Sequence, residues 1–389
     1  MPNDRITNHV IQSEVFTPPN KDIAKEYNIT FDPSVHGTSG YVHSSYSPFF
    51  WPTTKSLVQA VKELGISIAF DQANGSPLGG YFNPHSQDPV SVTRSSAREA
   101  YYDSASGRKN FYLAAGQQVT RVLTEKHHGT IKAIGVERSN LTDATFAAKV
   151  REQYEYYRKG PLTSPLGDFL VFIPLSNFSD ASSGIFQEAT NQEGTEYLPA
   201  YTQTQVTEGY KRQHKILNGR LRGFKSAILE VIWDDGEMLL CLQHPYSRGS
   251  IKAMSPISFD APVADPGLLK NPLDIAILAE GIRFSRRLVN APAMQKLEPL
   301  EVVPGADVTS NEALEEFIRS TVSNFYHPAG SCKMGSREEG GVVDAELKVY
   351  GVEGLRVVDA SVMPLLPAAH TMATVYAVAE KAADIIKRS

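Results

Sequence analysis

Cysteine is nearly absent from this sequence, which has only Cys241 and Cys332 among its 389 residues. Two cysteines are too few for a disulfide scaffold or for a zinc site built on thiolates. Basic charge is not in excess either, because 38 Lys and Arg face 43 Asp and Glu, for a formal net charge of −5. Without a basic surface there is no electrostatic footprint for nucleic acid or for an anionic membrane. We therefore expect a small-molecule partner, with no nucleic acid and no membrane.

Long hydrophobic runs are also missing. The closest, FLVFIPL at 169–175, has the size of a strand, whereas a membrane-spanning helix needs about 20 apolar residues. The amino end has no basic stretch followed by an apolar core, which predicts no secretory signal and a cytoplasmic location by default. Four Asn-X-Ser/Thr sequons would fit secreted relatives, although chance also produces such tripeptides: Asn28, Asn74, Asn140 and Asn177.

Helix and strand patterns follow one another along the chain. Residues 53–65 carry an apolar stripe that ends at a glycine, and residues 271–290 begin with Asn-Pro, which suits the first positions of a helix. Alternation over 110–137 predicts a hairpin, and apolar runs at 167–175 and 227–245, the latter around an Asp-Gly pair, predict strands of a sheet. These patterns predict an α+β fold, with a mixed or antiparallel sheet flanked by helices.

Three further segments carry helix signals. Residues 141–160 place aromatic and apolar side chains on one face, and Thr309 with Glu312 forms a capping-box pattern at the start of the next helix. Residues 355–364 predict a buried strand leading into a turn and then into a terminal helix. That helix is expected to turn one face inward, made of Met372, Val375, Tyr376, Ala379, Ala383 and Ile386.

Two histidines near the carboxyl end are candidate catalytic residues. His327 precedes a proline, which disfavours the helical region and holds the residue extended. Either histidine alone is more often a satisfied core residue, but two imidazoles at one substrate oxygen can share the work, since one removes the hydroxyl proton and the other donates a hydrogen bond as charge develops. His370 begins the terminal helix, whose partial positive charge suits an anion such as a reduced flavin. No third ligand at helix spacing accompanies the pair, so we expect no metal site.

Three ordered blocks in the tail carry a family resemblance: HPAGSCKMG at 327–335, GGVVDAELKVYGVEGLRVVDASVMP at 340–364 and AAHTMATVYAVAEKAADII at 368–386. In order and spacing they resemble the carboxyl end of the glucose-methanol-choline (GMC) oxidoreductases, FAD enzymes that include aryl-alcohol oxidase and glucose oxidase. Segments between 93 and 293 extend the likeness upstream. The resemblance implies oxidation of an alcohol by proton abstraction and hydride transfer to FAD, with a role in secondary-metabolite biosynthesis.

Residue roles follow from the same resemblance. It implies His327 as the catalytic base and His370 as its partner histidine. Asp359 and Ala360, at the last turn, and Thr371 and Met372, at the start of the last helix, are implied to contact the flavin ring. Val119 is implied to contact the adenine through its main chain.

The sequence departs from the family pattern in two places. It has no G-x-G-x-x-G turn to cradle the FAD pyrophosphate, and it passes from 135–137 almost directly to 141, where relatives have a further FAD-domain segment. We therefore expect an incomplete FAD-binding α/β domain beside the substrate domain, and a partner chain that supplies the missing part. Two alternatives remain open: a flavin-independent acid/base enzyme such as an isomerase or cyclase, and a pseudoenzyme that binds without turnover.

Four regions are predicted on this basis. Residues 1–95 are an extended segment shared by the substrate and FAD domains, and 96–138 are an FAD-domain remnant. Residues 139–330 form the substrate domain, and 331–389 form the carboxyl-terminal FAD-domain remnant.

Overall fold

The structure is a computed structural model that describes residues 3–76, 78–111, 113, 117–127, 130–140, 167–199, 201–234, 236–255 and 260–388. The main helices are α1 (Asn3–Ser13), α2 (Lys21–Tyr27), α3 (Thr54–Glu63), α4 (Ser182–Asn191), α5 (Thr204–Arg222), α6 (Pro272–Val289), α7 (Asn311–Thr321) and α8 (Thr371–Arg388). The strands are β1 (Glu14–Thr17), β2 (Val42–Ser45), β3 (Gly79–Phe82), β4 (Gln117–His127), β5 (Thr130–Asn140), β6 (Phe169–Ile173), β7 (Leu229–Asp234), β8 (Glu237–Leu242), β9 (Ser250–Lys252), β10 (Val263–Asp265) and β11 (Val352–Glu353). None of the described helices is long and apolar enough to cross a bilayer.

A four-stranded antiparallel sheet in the order β3-β6-β7-β8 organises the site. Its first face packs against α3, α4, α5 and α6 in the main core, which includes Phe169 and Val171 of β6 and Leu229 and Val231 of β7. Because successive strand residues point to opposite faces, Phe172, Glu230 and Cys241 belong to the second face. The predicted α+β arrangement of an antiparallel sheet flanked by helices is confirmed.

The helix signals at 53–65 and 271–290 are confirmed. In α3 the buried residues include Leu57 and Val61, and Gly65 follows in the left-handed region with φ +74°. At the start of α6, the Asn271 side chain accepts a hydrogen bond from the Leu273 backbone N–H at 3.0 Å. This cap satisfies one N–H that the first turn of a helix leaves without an intrahelical partner.

A second, three-stranded sheet has the order β11-β5-β4. The predicted hairpin is confirmed, but β4 begins at residue 117 rather than 110. β11 pairs in parallel with β5, so the tail of the chain joins the hairpin. The helix predicted at 141–160 lies outside the described residues. The four-region domain division stays a prediction.

Three local predictions in the second half are wrong. Helix α7 is capped by Ser310, which accepts from the Ala313 N–H at 3.1 Å, and not by Thr309. Ser and Thr both cap helices, and the Thr309–Glu312 spacing favoured Thr309 although Ser is the better N-cap residue. Residues 355–364 form no strand, only an isolated bridge between Lys348 and Arg356 and a 3₁₀ turn at Ala360–Val362. Here the backbone of 361 and 362 is bonded instead to the segment that follows His327.

The inward face predicted for the terminal helix is also wrong. The buried residues of α8 are Thr371, Ala377 and Ala382, whereas Met372 is 46% exposed and Ile386 is 51% exposed. α8 packs against α1 on one side. An apolar stripe shows only which residues could be buried; the partner surfaces decide which of them are.

Gly209 offers a direct test of the packing between α5 and the backbone at Glu339. A Cβ built on Gly209 would lie 2.1 Å from the Glu339 backbone oxygen, whereas one on Gly219 of the same helix meets nothing within 4 Å. We expect Gly209→Ala to lower the free energy of unfolding by about 1–3 kcal/mol through overpacking. Gly219→Ala should raise it by about 0.5–1 kcal/mol through helix propensity. Urea unfolding of both variants measures the difference, and equal effects would contradict this close contact.

Candidate active site

His327 and His370 lie together, with their ring centroids 5.6 Å apart and their planes tilted by 47°. Phe325 stands beside both, with its ring centroid 5.9 Å from that of His327 and 6.2 Å from that of His370. His327 is half-buried, and the His370 side chain is 39% exposed. The two imidazoles therefore border one site that is open on one side.

A buried carboxylate of the central sheet holds His370. Its Nε2 lies 2.8 Å from Glu230 Oε1, and the other oxygen of Glu230 accepts from Gln243 Nε2 at 2.8 Å. Glu230 is fully buried on β7, paired across strands with Phe172 on one side and Cys241 on the other. Both carboxylate oxygens are therefore engaged, and the imidazole is fixed relative to the rigid sheet.

His327 is held from the other side by the start of α8. Its Nδ1 lies 3.0 Å from the Oγ1 of Thr371, the residue directly after His370. The chain after His327 is tied to the turn at 360–362, because the Cys332 N–H donates to the Ser361 carbonyl at 3.0 Å and the Met334 N–H donates to the Val362 carbonyl at 2.8 Å. The histidine loop, the turn and the helix start thus form one unit.

The two imidazoles have pKa values displaced in opposite directions. Burial lowers the pKa of His327, and the nearby His370 lowers it further, with partial compensation from Glu230. Burial also opposes the charge of His370, but the hydrogen bond and the charge of Glu230 outweigh it, so the pKa of His370 is raised. At neutral pH this favours a neutral His327 and a charged His370, which are the forms of a base and of a hydrogen-bond donor.

The pH dependence of proton abstraction should reflect a neutral His327 as the base and a charged His370 as the hydrogen-bond donor. We expect the rate to rise with pH as His327 loses its proton, below the ordinary imidazole value of about 6.5, and to fall again as His370 loses its proton above that value. A kcat/KM profile from pH 4 to 10 measures both limbs. A profile that rises without a high-pH decline would contradict the donor role of His370.

The flavin ring that the resemblance implies can be compared with the groups present. Met372 and Ala373, in the first turn of the 18-residue α8, are exposed, and first-turn N–H groups carry partial positive charge without intrahelical acceptors. The turn at 360–362 follows Asp359, and Ser361 Oγ is buried there without a hydrogen-bond partner among the described residues. Donors and an unsatisfied hydroxyl beside the histidines suit the polar edge of a flavin ring, so this end fits FAD.

The other end of FAD has less support. Within the described ranges no glycine-rich turn leads from a strand into the start of a helix. Val119 lies in β4, opposite Arg138, next to a register shift before Arg121 that leaves main-chain groups out of the regular ladder. The fit is therefore restricted to the ring end, and the FAD roles of Val119, Asp359, Ala360, Thr371 and Met372 stay predictions.

Sequence reasoning missed the groups that hold the histidines. Glu230 and Gln243 lie within a predicted strand run and carry no motif, although a single acid inside the apolar run AILEVIW is a signal of a buried partner. Phe325 is visible in the sequence only as a neighbour of His327, and Thr371 was expected as a flavin contact but not as the partner of His327. Among the described residues, no group of three or more His, Cys, Asp or Glu is placed to hold a metal ion.

Comparison with known proteins relates the chain to oxidoreductases. Residues 245–379 match the family described as GMC oxidoreductase. The dehydrogenase xptC of Emericella nidulans is 29% identical over 465 residues, covering 97% of this chain and 74% of the relative. Because that alignment is longer than the 389 residues of this chain, the relative carries internal residues that have no counterpart here.

Solved structures agree with the sequence relatives. An FAD-dependent oxidoreductase from Chaetomium thermophilum superposes with a TM-score of 0.90 at 27% identity, covering 98% of this chain and 80% of that one. A fungal aryl-alcohol oxidase gives a TM-score of 0.85 at 29% identity, covering 99% and 79%. Fold, histidine pair and sequence matches lead to one conclusion: residues 245–379 belong to the GMC oxidoreductase family, and the chain as a whole is similar to these enzymes.

Proposed function

We propose that the protein oxidises the CH–OH group of an alcohol, with His327 as the base and FAD as the hydride acceptor. One observation supports this above the others. The ring centroids of His327 and His370 lie 5.6 Å apart beside the exposed start of α8, and their pKa values are displaced in opposite directions. A base and a donor at one oxygen are what removal of an alcohol proton requires.

The residues divide the work as follows. With its Nδ1–H donated to Thr371 Oγ1, His327 presents the lone pair of Nε2 and takes the hydroxyl proton. His370, whose Nε2–H donates to Glu230, presents its Nδ1–H to the same substrate oxygen and stabilises the negative charge that develops there. FAD, when bound, supplies the acceptor for the hydride that leaves the alcohol carbon. The carbon is thereby oxidised to a carbonyl, and the proton stays on His327.

Which residues hold the cofactor is part of the proposal. The first turn of α8, with Thr371 and Met372, and the turn that follows Asp359 would hold the flavin ring. Val119 would contact the adenine through its main chain. A partner polypeptide would supply the pyrophosphate cradle, because the sequence has no G-x-G-x-x-G turn. We place this activity in the cytoplasm, in secondary-metabolite biosynthesis.

A visible absorption spectrum tests the proposal. Purified protein, alone and after incubation with FAD and desalting, is expected to retain flavin absorption, and anaerobic addition of an alcohol substrate should bleach it. Protein that remains colourless and releases no flavin on denaturation would overturn the proposal for the isolated chain. Size-exclusion of the same protein with a candidate partner chain would show whether flavin retention requires that partner.

A flavin-independent acid/base enzyme is a second candidate. The histidine pair with its buried carboxylate is complete in the described residues, while the pyrophosphate cradle is not. Such an enzyme would isomerise or cyclise its substrate without an electron acceptor. Turnover in the absence of flavin and acceptor, lost in the His327→Ala, His370→Ala double variant, would favour it over oxidation.

A further inference from the structure

We propose that Arg220 of α5 is a positioning residue for His370: its guanidinium holds the carbonyl of Leu366, in the segment that leads into α8, and thereby keeps the imidazole on Glu230. The proposal rests on the proposed function, because it concerns the hydrogen-bond donor of the same reaction. The hydrogen bonds of Arg220 to described residues go to His244 and Leu366 and to neither histidine of the pair.

The segment 364–369, which precedes His370, has little support of its own. It forms no helix or strand, and two of its six residues, Pro364 and Pro367, have no N–H to donate. None of its backbone groups is hydrogen-bonded to the backbone of another described residue. Its position therefore depends on side chains from elsewhere in the fold.

Two side chains of α5 bond this segment. Gln213 Nε2 donates to the Pro364 carbonyl at 3.0 Å, and Arg220 Nη1 donates to the Leu366 carbonyl at 3.2 Å. Residues spaced like Gln213 and Arg220 lie about two turns apart on the same face of a helix. The buried Leu217 between them anchors α5 in the main core, so the segment is tied to a rigid element.

No carboxylate of the described residues pairs with Arg220, although the residue is half-buried and burial lowers its pKa. Its second partner is His244, whose Nδ1 lies 3.2 Å from Arg220 Nη1. Burial, together with the charge of Arg220, lowers the pKa of His244 to about 4, so this imidazole is neutral and can accept a hydrogen bond. A half-buried cation without a counter-ion costs free energy. Methionine, which is of similar length, would avoid that cost but could not donate to Leu366 or His244.

Arg220 reaches both supports of His370. Through the carbonyl that it bonds, it fixes the backbone that enters α8. Through His244 it adjoins Gln243, whose Nε2 donates to one oxygen of Glu230, while the other oxygen lies 2.8 Å from His370 Nε2. Without the guanidinium, the segment before α8 keeps one of its two hydrogen bonds from α5. We then expect the imidazole to be bonded to Glu230 for less of the time.

The pKa of His370 reports this position without flavin or turnover. It is measured by NMR titration of the full chain labelled with ¹³C-histidine, and His370 is assigned from the signal that disappears in His370→Ala. In Arg220→Met we expect the pKa of His370 to fall, because the imidazole stays buried and loses part of its contact with Glu230. Removing a positive charge by itself would raise that pKa, so the sign of the change distinguishes displacement from a charge effect. An unchanged or raised pKa would overturn the proposal.

Arg222→Met is the matched control. Arg222 is exposed on the same helix, with its guanidinium over the ring of Phe186, and its replacement should leave the pKa of His370 at the wild-type value. An equal fall in both variants would show that any loss of charge from α5 has this effect, and the proposal would be wrong.

Gln213→Leu removes the other hydrogen bond from α5 to the segment. The pKa of His370 should fall in this variant too, but by less, because Pro364 lies further from His370 along the chain than Leu366 does. The variant also serves if Arg220→Met does not fold. In that case a wild-type pKa of His370 in Gln213→Leu would contradict the proposal.

The kinetics should show a loss in kcat rather than in binding. We expect Arg220→Met to lower kcat for alcohol oxidation by about 10-fold, since the donor is displaced, with KM changed by less than about 3-fold, since no substrate contact is removed. Arg220→Lys, which keeps the charge and a donor for Leu366, should recover most of the loss. A raised KM with wild-type kcat would assign Arg220 to substrate binding instead and overturn its positioning role.

The imidazole titration separates this proposal from the proposed reaction. If the pKa of His370 falls in Arg220→Met but alcohol never bleaches bound flavin in the wild type, the oxidation fails and the positioning role stands. If the wild type oxidises alcohol while Arg220→Met keeps both its kcat and the pKa of His370, the oxidation stands and the positioning role fails.

Discussion

Replacing His327 by alanine is expected to lower kcat for alcohol oxidation by about 10²- to 10⁴-fold, the usual contribution of a positioned general base. The imidazole is held at Nδ1 by Thr371, and its pKa is lowered by burial and by His370, so it is neutral and ready to accept a proton near pH 7. Alanine leaves the hydroxyl proton to water, which is neither positioned nor basic enough.

Single-turnover reduction of bound FAD by the alcohol isolates this step from product release. The matched control is His43→Ala, a histidine whose side chain is 40% exposed and whose Nε2 lies 3.5 Å from Asp88 Oδ2. That variant should keep the wild-type rate. His327→Ala reducing flavin at the wild-type rate, with unchanged folding, would exclude the histidine as the base.

Glu230→Gln is expected to give the second large effect, a loss of about 10²-fold in kcat at pH 8. Glutamine keeps the volume, but it removes the negative charge and leaves one acceptor oxygen where Glu230 has two. The pKa of His370 is raised only because Glu230 outweighs burial. Without that charge, burial lowers the pKa of His370, which then loses its proton before pH 8.

The pH profile of kcat/KM distinguishes an effect on His370 from an effect on His327. The high-pH limb of kcat/KM should move to lower pH in Glu230→Gln, while the low-pH limb set by His327 changes little. Glu280→Gln is the control, because Glu280 is also buried, but on α6, where it bonds Ser179 and Arg283. A profile that shifts equally in both variants would show that the effect is not transmitted through His370.

The raised pKa of His370 should also make the free energy of unfolding depend on pH. A group whose pKa is raised on folding stabilises the native state below its unfolded value, about 6.5 for histidine, and this contribution is lost as pH rises through the folded value. The pH-dependent part of the stability difference between wild type and Glu230→Gln should therefore be fully present near pH 5 and shrink as pH rises above 6.5. Denaturant unfolding at several pH values measures it.

Local pattern predicted the helices α3, α6 and α8 and the strands β6, β7 and β8, because helices and strands bury one face at a fixed period. The run AILEVIWDDGEMLLCLQ became β7 and β8 around Gly236, whose φ of +99° suits only glycine. Prediction from local pattern failed where contacts with a distant segment determine the backbone conformation. Residues 355–364 are apolar enough for a strand, but their backbone bonds to 332–334 and not to a full neighbouring strand.

In the site, too, some residues could be predicted from local sequence and others could not. His327 and His370 could be named from the sequence, because His-Pro and a histidine at a helix start are local features. Glu230 is 140 residues from His370 in the chain, and no local pattern connects them. Only the pairing of β7 between β6 and β8 brings its carboxylate under the imidazole.

Local sequence was enough to identify the strands β6, β7 and β8, the helices α3, α6 and α8, the two candidate imidazoles and the likeness to the GMC family. These depend on periodicity and side-chain chemistry, which are properties of short segments. Which imidazole has the raised pKa and which the lowered one followed only from the folded arrangement, as did the buried carboxylate of Glu230 that holds His370. Those properties depend on burial and on distances between residues far apart in the chain, and packing sets both.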